Sequence, residues 1–275
     1  MQRLCGTGGL DLRPGLQVAD LGCGWGYLGH LLLPSIAPGG RIDGFDLDDD
    51  ALALGRSRAR QVGARGLRFE PGAAASLDVD DDRYDRAVCQ TLLIHQGDPL
   101  RVLQEMVRIV RPGGLVGVIE PDAALADAGI DDGIETDAQN RDRRAVAAVL
   151  RSGAQAVGAG DHGLGARLPE LFADAGLQDV RVWLNPTVLR CIPGEHGSAE
   201  VWRRVLLRRT EARAFAERWK ADHALFVAGG GDPALWERAR LGADALRRER
   251  RRRLLDGTWA ARQSLGLMVC VGRVG

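Results

Sequence analysis

Over residues 16–121 the chain alternates short apolar runs with stretches of helical periodicity. Residues 16–21 read as a buried strand, and a glycine-rich turn separates them from an apolar segment at 27–36. A second strand covers 41–46. A helix at 51–62 is entered past Asp48, Asp49 and Asp50, whose carboxylates suit the positive end of a helix dipole. Residues 67–69 form a short third strand and 84–89 a fourth. A helix at 100–110 gathers Leu100, Leu103, Met106, Val107 and Val110 on one face, and 115–119 make a fifth strand. Strands that alternate with helices run parallel, because each crossover returns the chain to the same end of the sheet. The pattern predicts an α/β fold with a doubly wound, mostly parallel sheet.

Beyond Pro121 the pattern turns helical, at 141–157 and 168–175, with Gly176 placed to stop the second helix. A sixth strand is expected at 180–184 and a seventh at 267–271. Between them, residues 195–260 read as a helical insertion. Trp202, Leu206, Phe215, Trp219 and Phe226 fall near helical spacing, Gly229, Gly230 and Gly231 break the run, and Asp232-Pro233 restart it as N-cap and first helical residue. The expected division is therefore 1–122 as the first half of a sheet domain, 123–194 as a helical segment with a helix and the sixth strand, 195–260 as a helical cap, and 261–275 as the last strand. No repeat or low-complexity linker interrupts it.

Composition narrows the function. The 37 basic and 37 acidic residues cancel, and Lys220 is the only lysine, so arginine carries nearly all the positive charge. A chain that bound nucleic acid by neutralising phosphates would carry a positive excess. Abundant Arg, Ala and Gly fit a GC-rich coding sequence. No stretch approaches the roughly 20 apolar residues that span a bilayer, and residues 1–9 hold no apolar leader segment, so a cytoplasmic protein without a membrane span is expected. Cys5, Cys23, Cys89, Cys191 and Cys270 stand singly, which suits reduced thiols and predicts no structural metal. The acids at 78–82 read as a solvated loop, since hard-cation loops space their oxygen ligands around a turn glycine. The arginine run at 247–253 is the best argument for an RNA or lipid partner. Its simpler reading is a solvated helix face paired with Asp244, Glu249 and Asp256.

The richest segment is residues 18–29, VADLGCGWGYLG. It contains a G-x-G-x-x-G at Gly24, Gly26 and Gly29, the spacing of a dinucleotide fingerprint. Asp20, however, sits at the strand end before the first glycine, where a carboxylate repels pyrophosphate and welcomes a cationic ligand. With this first motif, Asp46 after Gly44-Phe45, Tyr84-Asp85, Leu93-Ile94-His95 and the RIVRPGG segment at 108–114, the chain resembles the class I S-adenosylmethionine-dependent methyltransferases of the small-molecule branch. The resemblance covers residues 15–122 well and 168–183 moderately.

That resemblance implies a seven-stranded Rossmann-like methyltransferase fold with helical cap insertions, S-adenosyl-L-methionine as cofactor, and methyl transfer to a small molecule in specialised metabolism. It assigns Gly22, Cys23, Gly24 and Gly26 to the turn that approaches the cofactor, Asp20 to its amino-acid end and Asp46 to its ribose hydroxyls. Leu47 would line the adenine, the Gly72-Ala73-Ala74 turn would flank it, and Gln90 would close the set. Relatives often carry an acid where this chain has Ala73, so a backbone or neighbouring contact must replace it.

For an acceptor that carries a proton, the candidate bases are His95, Glu120 with Asp122, and His162 and His196 in the insertions. Trp202, Phe215, Trp219, Phe226 and Trp236 fit a substrate wall, a cap core or a homodimer face equally well. If the cap faces the pocket, its arginines favour an anionic substrate. The fourth strand lacks the Asn/Asp-Pro-Pro-aromatic signature of adenine-N6 methyltransferases. Gly-Cys-Gly-Trp-Gly resembles the cyclopropane fatty acid synthases, but Asp46-Leu47-Asp48 does not look like their second motif. A non-catalytic cofactor-binding subunit, or an RNA or lipid methyltransferase using the arginine-rich cap, is the alternative.

Overall fold

The computed structural model describes residues 2–6, 8–122, 129–161, 163–193 and 198–275. His162 and His196 lie outside these residues, and the side chain of Trp202 is not described. The chain forms two compact units. One comprises Met1–Asp122, Gly163–Asn185 and Leu267–Gly275; the other comprises Ala123–His162 and Pro186–Gly266.

The first unit is built on a sheet. Its strands are β1 (Gln17–Leu21), β2 (Arg41–Asp46), β3 (Leu67–Pro71), β4 (Tyr84–Gln90) and β5 (Val110–Pro121), with the 178–185 part of β7 (Gln178–Cys191) and the 267–273 part of β8 (Ala261–Arg273). The order is β3-β2-β1-β4-β5-β8, with β7 pairing β8 as well. β1 through β5 are parallel, whereas β8 runs antiparallel to β5, with Glu120 opposite Met268. The seven expected strands are present. An eighth, the two-residue β6 (Ile130–Asp131), pairs with β8 at Arg262 and Gln263.

Side chains of β1 alternate between two apolar layers, as the pleat dictates. Ala19 and Leu21 join Leu103, Met106 and Phe172 on one face, while Val18 joins Leu28, Leu32, Ile42 and Leu52 on the other. The helices supplying those layers are α2 (Tyr27–Ile36) and α3 (Asp49–Gln61) on the Val18 side, and α4 (Pro99–Arg108) and α6 (Leu168–Asp174) on the other. α1 (Gln2–Cys5) adds Leu4 to the Val18 layer.

Several boundaries differ from expectation. α3 starts at Asp49 because the Asp48 carboxylate caps it, accepting from the Asp50 and Ala51 amides at 3.0 Å each. α4 stops at Arg108, and Val110, expected as its last apolar position, instead pairs with Tyr84 in the sheet. β7 and β8 run well past their apolar cores, since segments such as Arg262-Gln263 are held by ladder pairing rather than burial. The acidic loop at 78–82 has exposed acids and is anchored by Arg108, which donates to the Val79 and Leu77 carbonyls and to Asp81.

The second unit packs α5 (Asp137–Ala156), α7 (Ser198–Arg209), α8 (Ala212–Ala228) and α9 (Pro233–Leu255). α5 begins four residues before its expected start because Thr136 and Gln139 form a capping box. Gly153 lets α5 and α8 touch: a Cβ there would lie 1.8 Å from the Leu225 carbonyl oxygen. Every arginine between 247 and 253 has a partner within the protein. Arg247 and Arg248 pair with Asp244, Arg250 with Asp132, Arg252 and Arg253 with Glu249, and Arg251 donates to the Leu207 carbonyl.

Candidate active site

The carboxyl ends of β1, β2 and β4 bring the expected residues together. After β1 the backbone turns through Gly22, Gly24 and Gly26 at φ of 64°, 52° and 83°, where side chains with a Cβ are strained. The three glycines serve different neighbours. A Cβ on Gly22 would meet Leu92 at 2.6 Å and one on Gly26 would meet Phe69 at 2.6 Å, whereas Gly24 faces open space with no atom within 4 Å. Gly24 is thus the point where a ligand can approach the main chain.

Asp46, at the end of β2, fixes that turn. Its Oδ2 accepts the Gly24 amide at 2.7 Å and its Oδ1 accepts the Asp48 amide at 3.0 Å, leaving lone pairs on both oxygens. Cys23 donates its amide to the Phe45 carbonyl, and its buried thiol is pushed well up by burial, so it is an inert packing group. The Gly72 amide donates to the Asp46 carbonyl at 3.0 Å and the Ser76 amide to the Ala73 carbonyl at 2.9 Å. This sets the Gly72-Ala73-Ala74 turn beside β2 with Ala73 exposed. Leu47 is 77% exposed, an apolar side chain left uncovered at the same strand end. Gln90 closes β4, half-buried opposite Ile119.

Two carboxyls lie beneath this surface. Asp20 is 2% exposed, and its Oδ2 has no hydrogen-bond partner. Burial pushes its pKa up to about 7, partly offset by the Gly29 amide, with the Asp46 charge adding to the rise. Glu120, fully buried at the end of β5, is likewise pushed up to about 7 by burial. Its Oε1 accepts the Leu92 and Leu93 amides at 2.9 and 2.7 Å, and its Oε2 is unpartnered.

Glu120, expected as a candidate base, is thus shut off from solvent, with one oxygen committed to the main chain. It ties down the turn after β4. His95 is the last residue of that turn, Leu93–His95, and is exposed, with its amide donating to the Leu92 carbonyl at 3.0 Å. Asp122 follows β5, partly buried.

The sequence reading missed a group around Trp25. The Arg58 guanidinium stacks 4.1 Å from its ring centroid, with Tyr27 at 5.6 Å and His30 at 6.3 Å. Burial lowers the pKa of His30, whose Nε2 is unpartnered. The i, i+3 spacing of Tyr27 and His30 at the start of α2 was the available signal.

The chain matches the family model described as "Methyltransferase domain" over residues 12–175. It belongs to that methyltransferase family. A demethylmenaquinone methyltransferase of Bacillus cytotoxicus is 30% identical over 111 residues, 40% of this chain and 47% of the relative. A ubiquinone biosynthesis O-methyltransferase of Vibrio cholerae is 30% identical over 102 residues, 37% of this chain and 40% of the relative. The match thus spans less than half the length of either curated relative. The crystal structure of the YcgJ protein of Bacillus subtilis shares the fold, with a TM-score of 0.51 at 17% identity over 96% of this chain and 94% of that one. Among the described residues no helix is long and apolar enough to cross a membrane.

Proposed function

We propose that the protein transfers a methyl group from S-adenosylmethionine to a small-molecule acceptor. One observation carries the reading: a buried carboxyl, Asp20, with an unpartnered Oδ2, lies at the strand end that leads into a glycine turn open to a ligand at Gly24. A cofactor bearing positive charge fits a carboxyl that lacks a partner, and family membership supports the same chemistry. The remaining lone pairs of Asp46 suit the ribose hydroxyls, exposed Leu47 suits the adenine, and Ala73 offers main-chain atoms where relatives often use an acid. Gln90 completes the set at the end of β4.

When bound, the cofactor supplies a methyl group already activated on a sulfonium. The protein then has to position and desolvate the reactants. Asp46 holds the glycine turn in shape through Gly24, and Glu120 fixes the turn that carries His95. His95 takes a proton from the acceptor where the acceptor has one to lose. The RNA or lipid alternative loses its ground, because the arginines it relied on are paired within the protein. Free, singly placed cysteines support a reducing compartment such as the cytoplasm.

Calorimetric titration with S-adenosylhomocysteine tests the reading. Saturable binding is expected. Asp46→Ala should weaken it by about 1.5–3 kcal/mol, the cost of a lost charged hydrogen bond. No binding at millimolar concentration would overturn the assignment, and unchanged affinity in Asp46→Ala would remove the ribose role.

A further inference from the structure

The helical unit contains a cavity of about 350 Å³ lined by its own residues alone. Close-packed interiors leave few voids larger than a water, and a space of this size falls in the range of small-molecule sites. Aromatic side chains form much of its wall. Trp236 lies 4.5 Å from Trp219 between ring centroids, edge to face, and Phe215 lies 5.9 Å from Trp219.

The charged residues on the wall are unbalanced. Five arginines, at 143, 209, 218, 247 and 250, face two acids, Glu135 and Asp222. Glu135 is already neutralised by Arg143 at 2.8 Å. Arg247 is held by Asp244 and the Thr210 carbonyl, and Arg250 by Asp132 at 2.6 Å, but the Nη2 of Arg250 is buried with no acceptor. Arg209 forms no ion pair among the described residues, while the charge of Arg218 favours the ionised form of Asp222 against the effect of its burial. An aromatic box for a cationic ligand would need the opposite excess of charge. A buried donor without an acceptor is costly, and a ligand oxyanion removes that cost.

We propose that this cavity binds a small anionic molecule with an aromatic or similarly flat apolar body. Its carboxylate or comparable oxyanion accepts from the arginines that retain free donors, Arg250 among them, and its ring packs among Phe215, Trp219 and Trp236. The inference stands on the helical unit and does not rest on the methyl-transfer reading.

The test is titration of the full chain with naphthoate, followed by calorimetry and by quenching of tryptophan fluorescence, with naphthamide as the neutral counterpart. Saturable binding of naphthoate is expected, with naphthamide bound at least about ten-fold more weakly, as the loss of a charge-assisted contact implies. Arg250→Lys keeps a cation beside Asp132 but removes the Nη2 donor, and should weaken naphthoate about ten-fold. Should that variant fail to fold, the double variant Arg209→Gln with Arg218→Gln, at exposed positions, should weaken it with an unchanged far-ultraviolet circular dichroism spectrum. The proposal is overturned if naphthoate does not bind at millimolar concentration. Equal affinity for naphthamide, or undiminished affinity in the double variant, overturns it as well.

Discussion

At the carboxyl ends of β1 and β5 the buried ionisable groups are carboxyls, whereas the cavity wall of the helical unit carries arginines beside aromatic rings. The two kinds of group behave differently when buried. A carboxyl such as Asp20 escapes the cost of desolvation by holding its proton, and becomes charged when a cation arrives. An arginine keeps its charge in any protein setting, so a buried one must be paired in place, and any donor left over sets the sign of a ligand. Asp132, Glu135 and Asp244 do that pairing for Arg250, Arg143 and Arg247. What remains open is a buried carboxyl oxygen beside the glycine turn in one unit, and a spare guanidinium donor in the other.

The comparison breaks most visibly at Glu120. Glu120→Ala would leave the Leu92 and Leu93 amides without their acceptor, and should cost on the order of 3 kcal/mol in a denaturant melt. Glu120→Gln keeps a carbonyl acceptor and should lose far less. Equal losses would mean that the carboxyl group is not what holds the turn.

Asp20 sharpens the contrast through pH. Its pKa in the folded chain, about 7, lies above the ordinary 3.8, so between those values the native protein keeps a proton that the unfolded chain has lost. Stability from this group is full below about pH 4 and is lost as pH rises toward 7. Asp20→Asn is neutral throughout, so its stability relative to wild type should rise across that window. A pH-independent difference would place the carboxylate in a solvated setting instead.

The smallest effect is expected on the outer face of α9. Arg252 is exposed and paired within its own helix to Glu249 and Asp256. Arg252→Ala should leave the melting temperature nearly unchanged. A mobility-shift assay with RNA should show no salt-sensitive complex; a shift that weakens with salt would restore the nucleic-acid reading.

How far this was legible in the sequence depends on the range of the contacts. The sheet was readable because apolar runs and helical faces are local patterns, and Arg248–Asp244 and Arg253–Glu249 follow from i, i+4 spacing. The ends of β7 and β8 were not, since polar residues there are held by backbone pairing. Glu120 reaches amides 28 and 27 residues earlier in the chain, and Asp46 reaches an amide 22 residues earlier, links that no local pattern carries. The acids could be singled out by position, but whether each faces solvent or main chain could not. Nor could spacing separate Phe215 and Trp219 on α8, or Trp236 on α9, as cavity wall from the same residues as filled core, because either role puts them on the apolar face of a helix.

The most direct test of the methyltransferase assignment is calorimetric titration of the full chain with S-adenosylmethionine at pH 6 and pH 8. Asp20 must give up its proton to face a cation, so binding should be tighter at pH 8 and should release a proton at pH 6, visible as a heat that changes with buffer ionisation enthalpy. In Asp20→Asn both the pH dependence and the proton release should vanish. No binding at either pH would contradict the assignment, and equal affinity with no proton release in the wild-type chain would contradict the role given to Asp20.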